Sequence, residues 1–285
     1  MMQRKVVLVT GANAGMGKVI ATELARQRAT VVLLCRDADK GKETQREIAQ
    51  ATGTPTVDLL IADLSSQEAI REAARQFGER YDRLHVLVNN AGAHIQQRQL
   101  SVDGMEMNLA VNHLSAFLLT NLLLDTLRAS ASARIVNVAS ASMTKTIDLD
   151  DVQSAQTFVP FAAYGQAKLA MVLCTYALAR RLVGTGVTVN ALHPGITATG
   201  IVDDVAPPFA RPFTGLIKRF LLSPEPGAQT ALYLATSPAV EGVSGKYFIH
   251  EKEAPSVPIS YDELLQEQMW TISEELTGLA VATRR

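Results

Sequence analysis

Short runs of Val, Leu and Ile alternate along the chain with longer stretches where apolar residues return every third or fourth position. The runs at Lys5–Thr10, Thr30–Cys35, Thr56–Ala62, Leu84–Asn89, Ala133–Ser140, Val187–Leu192 and Lys246–Ile249 read as strands. Their nearly continuous apolarity suits strands covered on both faces. Helical periodicity fills the gaps near residues 15–28, 39–51, 66–80, 104–128, 161–183, 225–237 and 261–275. Such alternation predicts an α/β fold: a parallel, doubly wound sheet of about seven strands with helices on both faces, in three layers. The rhythm breaks at 197–222, where Pro207, Pro208 and Pro212 stand among Phe209, Phe213 and Phe220. A long excursion of this kind reads as a lid or binding loop. No linker-like stretch divides the chain. The expectation is one domain over residues 1–285, with a lid near 197–222 and a helical extension at 251–285.

Composition narrows this picture. Hydrophobic residues make up 47% of the chain and charged residues 19%, which is globular rather than disordered composition. The net charge of −1 favours neither nucleic acid nor an anionic membrane surface as a partner. Two stretches, Met107–Leu124 and Leu182–Val202, lack Asp, Glu, Lys and Arg. Both carry buried-type polar residues (Asn108, Asn112, His113, Asn190, His193) and read as core helix and loop rather than membrane spans. Cys35 and Cys174 show no metal-ligand spacing. A strand begins almost at the first residue, which predicts no signal peptide. These features together predict a soluble cytoplasmic protein in a reduced compartment.

The first strand runs into TGANAGMGK, with Gly11, Gly15 and Gly17. The first glycine permits a tight turn, the second lets backbone approach a pyrophosphate, and the third lets the next helix sit close to the strand. The helix N-terminus adds free N–H groups and partial positive charge. Asn13, Ala14, Met16 and Lys18 belong to the same turn. The second strand ends CRD. Cys35 stands where an acid would accept ribose hydroxyls, and Arg36 follows it. A guanidinium matches a 2′-phosphate, so the expected cofactor is NADP(H), with NAD(H) as the alternative. Asp37 competes as an acid one residue late. Asp63 and Leu64 follow the third strand, placed to meet an adenine ring, although Asp63 serves equally well as a helix cap.

YGQAK sets Tyr164 and Lys168 four residues apart on one helix face. A free phenol has a pKa of about 10, and a neighbouring ammonium lowers it. A phenol tuned in this way can give a proton to a carbonyl oxygen, or take one back. The pair follows a strand ending in Ser140, whose hydroxyl can bond the same oxygen.

Taken together these motifs resemble the short-chain dehydrogenase/reductase family, over about residues 5–250. The TGANAGMGK turn is similar to its cofactor loop in a Rossmann-type sheet. LVNNAG, with Asn90, Ala91 and Gly92, resembles the segment ending its fourth strand and supporting the centre of the sheet. Asn112 in VNHLSAFLLT, Ser140 in RIVNVASAS, Tyr164 and Lys168 match its catalytic tetrad. HPG, with Pro194 and Gly195, resembles the turn that holds the nicotinamide carboxamide together with Thr199. The resemblance implies that Tyr164 is the acid/base and that Ser140 polarises the carbonyl. It implies that Lys168 lowers the tyrosine pKa and bonds the nicotinamide ribose, and that Asn112 holds a water leading to solvent. CRD, SGKYF and WTISEELTGL narrow the likeness to the retinol dehydrogenase and WW-domain oxidoreductase branch. That branch implies an apolar aldehyde, ketone or alcohol as substrate. Ala139 and Ala167 depart from serines frequent in the branch. The family also implies a homodimer or homotetramer built on the helices bearing Asn112 and Tyr164.

Other residues read more plainly. His94 follows the NNAG turn and either faces substrate or is structural. Cys174 reads as a small buried hydrophobe, and no G-x-S-x-G elbow supports a hydrolase. Ile147, Val159 and Phe161 precede Tyr164 as candidate pocket residues. Two other activities remain open at this stage: an NADP(H)-binding regulator without catalysis, and a lyase or epimerase using the same Tyr–Lys pair.

Overall fold

The computed structural model describes residues 2–54, 56–130, 132–195 and 224–279. Its strands are β1 (Val6–Thr10), β2 (Thr30–Cys35), β3 (Val57–Ile61), β4 (Val86–Asn89), β5 (Ala133–Val138), β6 (Val187–His193), β7 (Tyr247–Ile249) and β8 (Lys252–Glu253). They form one sheet in the order β3-β2-β1-β4-β5-β6-β7-β8. The first seven run parallel, and β8 pairs antiparallel with β7. The eighth strand is the one departure from the expected count. It is a two-residue return that opens the C-terminal extension, where a wholly helical segment was expected.

Alternation along the strands divides the core. Val7 and Val9 of β1 join Val31, Leu33, Val88, Val136, Val138 and Phe248 on one face. That face is covered by α1 (Gly15–Arg26), by α2 (Ala38–Thr52) and by α8 (Pro224–Thr236). Leu8, Val32, Leu34, Leu87, Ile135 and Val189 point the other way. They meet α3 (Gln67–Arg80), α5 (Ser115–Leu122), α7 (Pro160–Arg181) and α9 (Glu263–Thr277). Burial on both faces is why these strands read as unbroken apolar runs.

The helix expected near 104–128 is broken into pieces. α4 (Met107–Leu109) passes into a π turn at Ala110–Leu114, then α5, then α6 (Leu124–Arg128) after a break at Leu123. π turns occur preferentially at functional sites; this one carries Asn112 and His113. The strand order reverses between β1 and β4, and the carboxyl ends of strands flanking such a point form a crevice for ligands. Thr10, Asn89, Val138 and His193 end the strands there. Among the described residues no helix is long and apolar enough to cross a membrane. The lid expected at 197–222, with Thr199, lies outside the described residues.

Candidate active site

The turn after β1 has Gly11 at φ +62° and Gly15 at φ +51°, the left-handed region that favours glycine. A Cβ on Gly17 would sit 2.3 Å from the Gly11 carbonyl oxygen, so α1 approaches the turn this closely only with glycine there. Thr44 of α2 donates to the Asn13 carbonyl at 3.2 Å and anchors the loop. Ala14 and Gly15 are exposed, and Met16 and Gly17 are buried. α1 starts without a side-chain cap or a first-turn acid, whereas Asp37, Ser66 and Asp262 cap α2, α3 and α9. An exposed glycine turn at an uncapped positive helix end fits the diphosphate of a dinucleotide.

Past β2, Arg36 is exposed and Cys35 is buried, its thiol pushed up to about 11 by burial and then by the charge of Asp37. Asp37 is committed elsewhere. Its Oδ1 accepts from the N–H groups of Asp39 and Lys40, both at 3.1 Å, and these bonds lower its pKa. Lys18 belongs to the turn that the sequence marks as the cofactor loop. Its ammonium is paired with Glu47 of α2. Asp63 Oδ1 accepts from the backbone N–H of Ser65 at 2.9 Å and its hydroxyl at 2.8 Å. The cap on α3 comes from Ser66, so Asp63 forms a turn rather than a helix cap. Leu64 is half-buried and packs on the core.

The segment after β4 is built into the sheet centre. Asn89 donates to Asn137 of β5 at 2.8 Å and to Thr120 of α5 at 3.0 Å. Asn90 donates to the Thr10 carbonyl at 2.9 Å, and the N–H groups of Asn90 and Ala91 both donate to Thr10 Oγ1 at 2.9 Å. The Asn90 side chain thus braces the glycine turn. Gly92 fills a gap between catalytic candidates: a Cβ there would lie 2.9 Å from Asn112 Oδ1 and 3.4 Å from Lys168 Nζ.

Asn112 is fully buried, and its amide holds residue 93. It accepts from the Ala93 N–H at 3.1 Å and donates to the Ala93 carbonyl at 2.7 Å and the Asn108 carbonyl at 2.9 Å. Asn108 repeats the pattern at Ile95, accepting at 2.9 Å and donating at 3.4 Å. Both amide donors of Asn112 are therefore spent on backbone carbonyls. Asn108 was missed in the sequence. Its signal was the i, i+4 spacing with Asn112, and buried Glu106 supports it at 2.9 Å.

Tyr164, Lys168 and Ser140 are all buried at the carboxyl end of the sheet. The Ser140 hydroxyl lies close enough to the Tyr164 phenol to lower its pKa. Lys168 donates to the Val138 carbonyl at 2.8 Å, and its Nζ lies 5.8 Å from the centre of the tyrosine ring. Gly165 lets α7 approach the loop after β5, since a Cβ there would stand 2.5 Å from the Ser142 carbonyl oxygen. Burial raises the Tyr164 pKa above its ordinary value, while the Ser140 hydroxyl lowers it. Burial also pushes Lys168 down to about 8. The expected net lowering of Tyr164 by Lys168 is thus corrected. Desolvation of the phenol dominates, and the ammonium is bonded to a carbonyl rather than to the phenol.

His94 packs edge-on against Tyr164 at 5.5 Å between ring centres and against Phe161 at 6.3 Å. Phe161 and Val159 are exposed beside it, and Ile147 packs on the core. An apolar, aromatic surface therefore leads outward from the phenol. Pro194 and Gly195 follow β6, with Gly195 at φ +85°. Two further side chains reach the Ser140 loop: His193, which the sequence marked only as a buried-type polar residue, and Tyr247.

A glycine turn thus sits at the sheet's switch point with a buried Ser–Tyr–Lys cluster beside it, the arrangement expected of a nucleotide-dependent oxidoreductase. The model of the short chain dehydrogenase family matches residues 5–208, and the chain belongs to that family. It is 43% identical to human retinol dehydrogenase 14 over 98% of its length and 88% of that protein's. It is 38% identical to human polyprenol dehydrogenase, covering 98% of this chain and 87% of that one. Among solved structures, an uncharacterised protein from Mycobacterium paratuberculosis superposes with a TM-score of 0.79 at 30% identity, over 97% of this chain and 94% of that one. The RhlG/NADP complex of Pseudomonas aeruginosa gives 0.70 at 28% identity, over 91% and 97%. The protein is a retinol dehydrogenase-like oxidoreductase of this nicotinamide-dependent family.

Proposed function

We propose that the protein interconverts an apolar aldehyde or ketone and its alcohol with NADP(H), and that Tyr164 moves the proton. The observation that carries this reading is the buried Tyr164 phenol beside buried Ser140, with Lys168 one turn along the same helix. The bound cofactor supplies hydride to the carbonyl carbon in reduction, or accepts it in oxidation. Residues 11, 13–17 and 90–92 would hold its diphosphate and the adjoining sugar. Asp63 and Leu64 would meet the adenine, Lys168 the nicotinamide ribose, and Pro194, Gly195 and Thr199 the carboxamide. Arg36 would clamp a 2′-phosphate. Two observations favour NADP(H): Asp37 is spent on capping α2, and Arg36 stands exposed at the end of β2. The apolar substrate rests on the exposed surface of Phe161 and Val159 running to His94 and Tyr164. The relatives named for retinol and polyprenol act on apolar alcohols as well.

In reduction, Ser140 Oγ polarises the substrate carbonyl and Tyr164 donates its proton to the oxygen. Because burial holds the phenol pKa up, Tyr164 carries that proton at neutral pH and is ready as an acid. Oxidation needs the phenolate, so its rate rises with pH while reduction stays level through neutrality. Tyr164→Phe keeps the ring and loses the proton. We expect turnover to fall by roughly 10²–10⁴-fold, with NADPH binding, measured by fluorescence, unchanged. Undiminished turnover in this variant would refute the mechanism.

A further inference from the structure

The loop carrying Ser140 is held in a way that the tetrad does not explain. The β5–β6 ladder ends where the Ala139 N–H donates to the Leu192 carbonyl at 2.8 Å. Beyond it, β5 has finished, yet the peptide unit joining Ser140 and Ala141 is bonded at both polar atoms by side chains. Its carbonyl oxygen accepts from the Tyr247 hydroxyl at 3.0 Å. Its N–H donates to His193 Nδ1 at 3.1 Å. Tyr247 opens β7 and His193 closes β6, so two different strands reach back to one peptide plane.

We propose that Tyr247 and His193 are positioning residues: together they clamp the 140–141 peptide and so aim Ser140 Oγ at the Tyr164 phenol and the substrate oxygen. The proposal rests on the reading of Ser140 given above. A peptide unit is planar, so bonds at its C=O and its N–H, from opposite sides, stop it rotating. That fixes ψ of Ser140 and φ of Ala141, and the side-chain rotamers open to a serine depend on its backbone angles. The Ser142 N–H donates to Ser140 Oγ at 3.0 Å, and that reach depends on the same fixed plane. Both clamping groups are in the required state. Burial raises the Tyr247 pKa, so its hydroxyl keeps the proton it donates. Burial and the neighbouring His250 lower the His193 pKa, so Nδ1 keeps the lone pair that accepts.

The test reads Tyr164 directly, without cofactor or substrate. Tyrosines labelled at the phenol carbon are titrated by NMR, and the Tyr164 signal is assigned by its loss in Tyr164→Phe. Ser140→Ala removes the hydroxyl that lowers the phenol pKa, so Tyr164 should titrate higher there. Tyr247→Phe and His193→Leu should shift it in the same direction. His193→Asn offers Oδ1 where Nδ1 stood and should bring Tyr164 back toward its wild-type titration. In turnover, Tyr247→Phe and His193→Leu should lower kcat roughly tenfold or more, since small misplacements of a catalytic group carry large rate penalties, and leave the NADPH Kd unchanged. If Ser140→Ala shifts Tyr164 while Tyr247→Phe and His193→Leu do not, the clamp is overturned and the role of Ser140 survives, even if both variants lose thermal stability. If Ser140→Ala leaves Tyr164 unmoved, the clamp and the role of Ser140 fall together.

Discussion

At the scale of single residues, cofactor choice turns on three neighbours at the end of β2. Cys35 is buried and cannot replace an acid, Asp37 gives its carboxylate to the first turn of α2, and Arg36 is left exposed. Arg36→Asp would place an acid where ribose hydroxyls would sit and remove the exposed guanidinium that would meet a 2′-phosphate. Charge-assisted hydrogen bonds are worth about 1.5–3 kcal/mol, so NADPH affinity should fall roughly ten- to a hundredfold relative to NADH. Titration of both cofactors gives the two Kd values, and an unaltered ratio would remove Arg36 from the cofactor site. Arg36 and Asp37 were both visible in the CRD string. Which of them was free was not visible there, because capping depends on where α2 starts.

At the scale of elements, α9 controls more than its position near the C-terminus implies. Trp270 stacks under the Arg181 guanidinium at 4.1 Å and meets Phe117 edge-on at 4.8 Å. Arg180 and Arg181 of α7 both pair with Glu267. Ser273 sits 2.7 Å from His113 Nε2 inside the contact, next to the π turn that carries Asn112. Burial drives His113 from the usual 6.5 down to about 3. The sign of the linkage follows. Below about 6.5 the unfolded chain binds a proton that folded His113 refuses, so stability falls as pH drops from there toward about 3. The slope from this residue is at most about 1.4 kcal/mol per pH unit. Urea unfolding across that range should show the slope in the wild type, and a shallower one in His113→Gln. Equal slopes would show that His113 gains a proton without unfolding.

At the scale of the whole molecule, α9 also decides which surfaces remain open. Every residue of α7 from Ala167 to Leu178 is buried within one chain, between the sheet, α5 and α9. The family likeness led us to expect oligomers built on the helices of Asn112 and Tyr164. Here the outer side of α7 is already covered by α9. We expect sedimentation to give the mass of one 30.7 kDa chain, or an assembly whose cross-links avoid α7. Cross-links between two copies of α7 would show that α9 leaves its place.

The sequence by itself determined the parallel sheet, because strands buried on both faces must be apolar throughout. It determined the glycine turn too, because a positive φ favours glycine at Gly11 and close packing against the Gly11 carbonyl requires it at Gly17. It also revealed the tetrad candidates, because Tyr164 and Lys168 share a helix face at a spacing that periodicity makes readable. Only the tertiary structure decided what those groups bond to. Lys18 turned to Glu47, Asn112 to Ala93, and Lys168 to Val138, each choosing a partner from a distant segment. The same holds for Tyr247 and His193, which meet one peptide from two strands. The physical reason is range. Periodicity and turn chemistry act over a few residues, whereas desolvation and hydrogen-bond partners depend on what the folded sheet brings alongside.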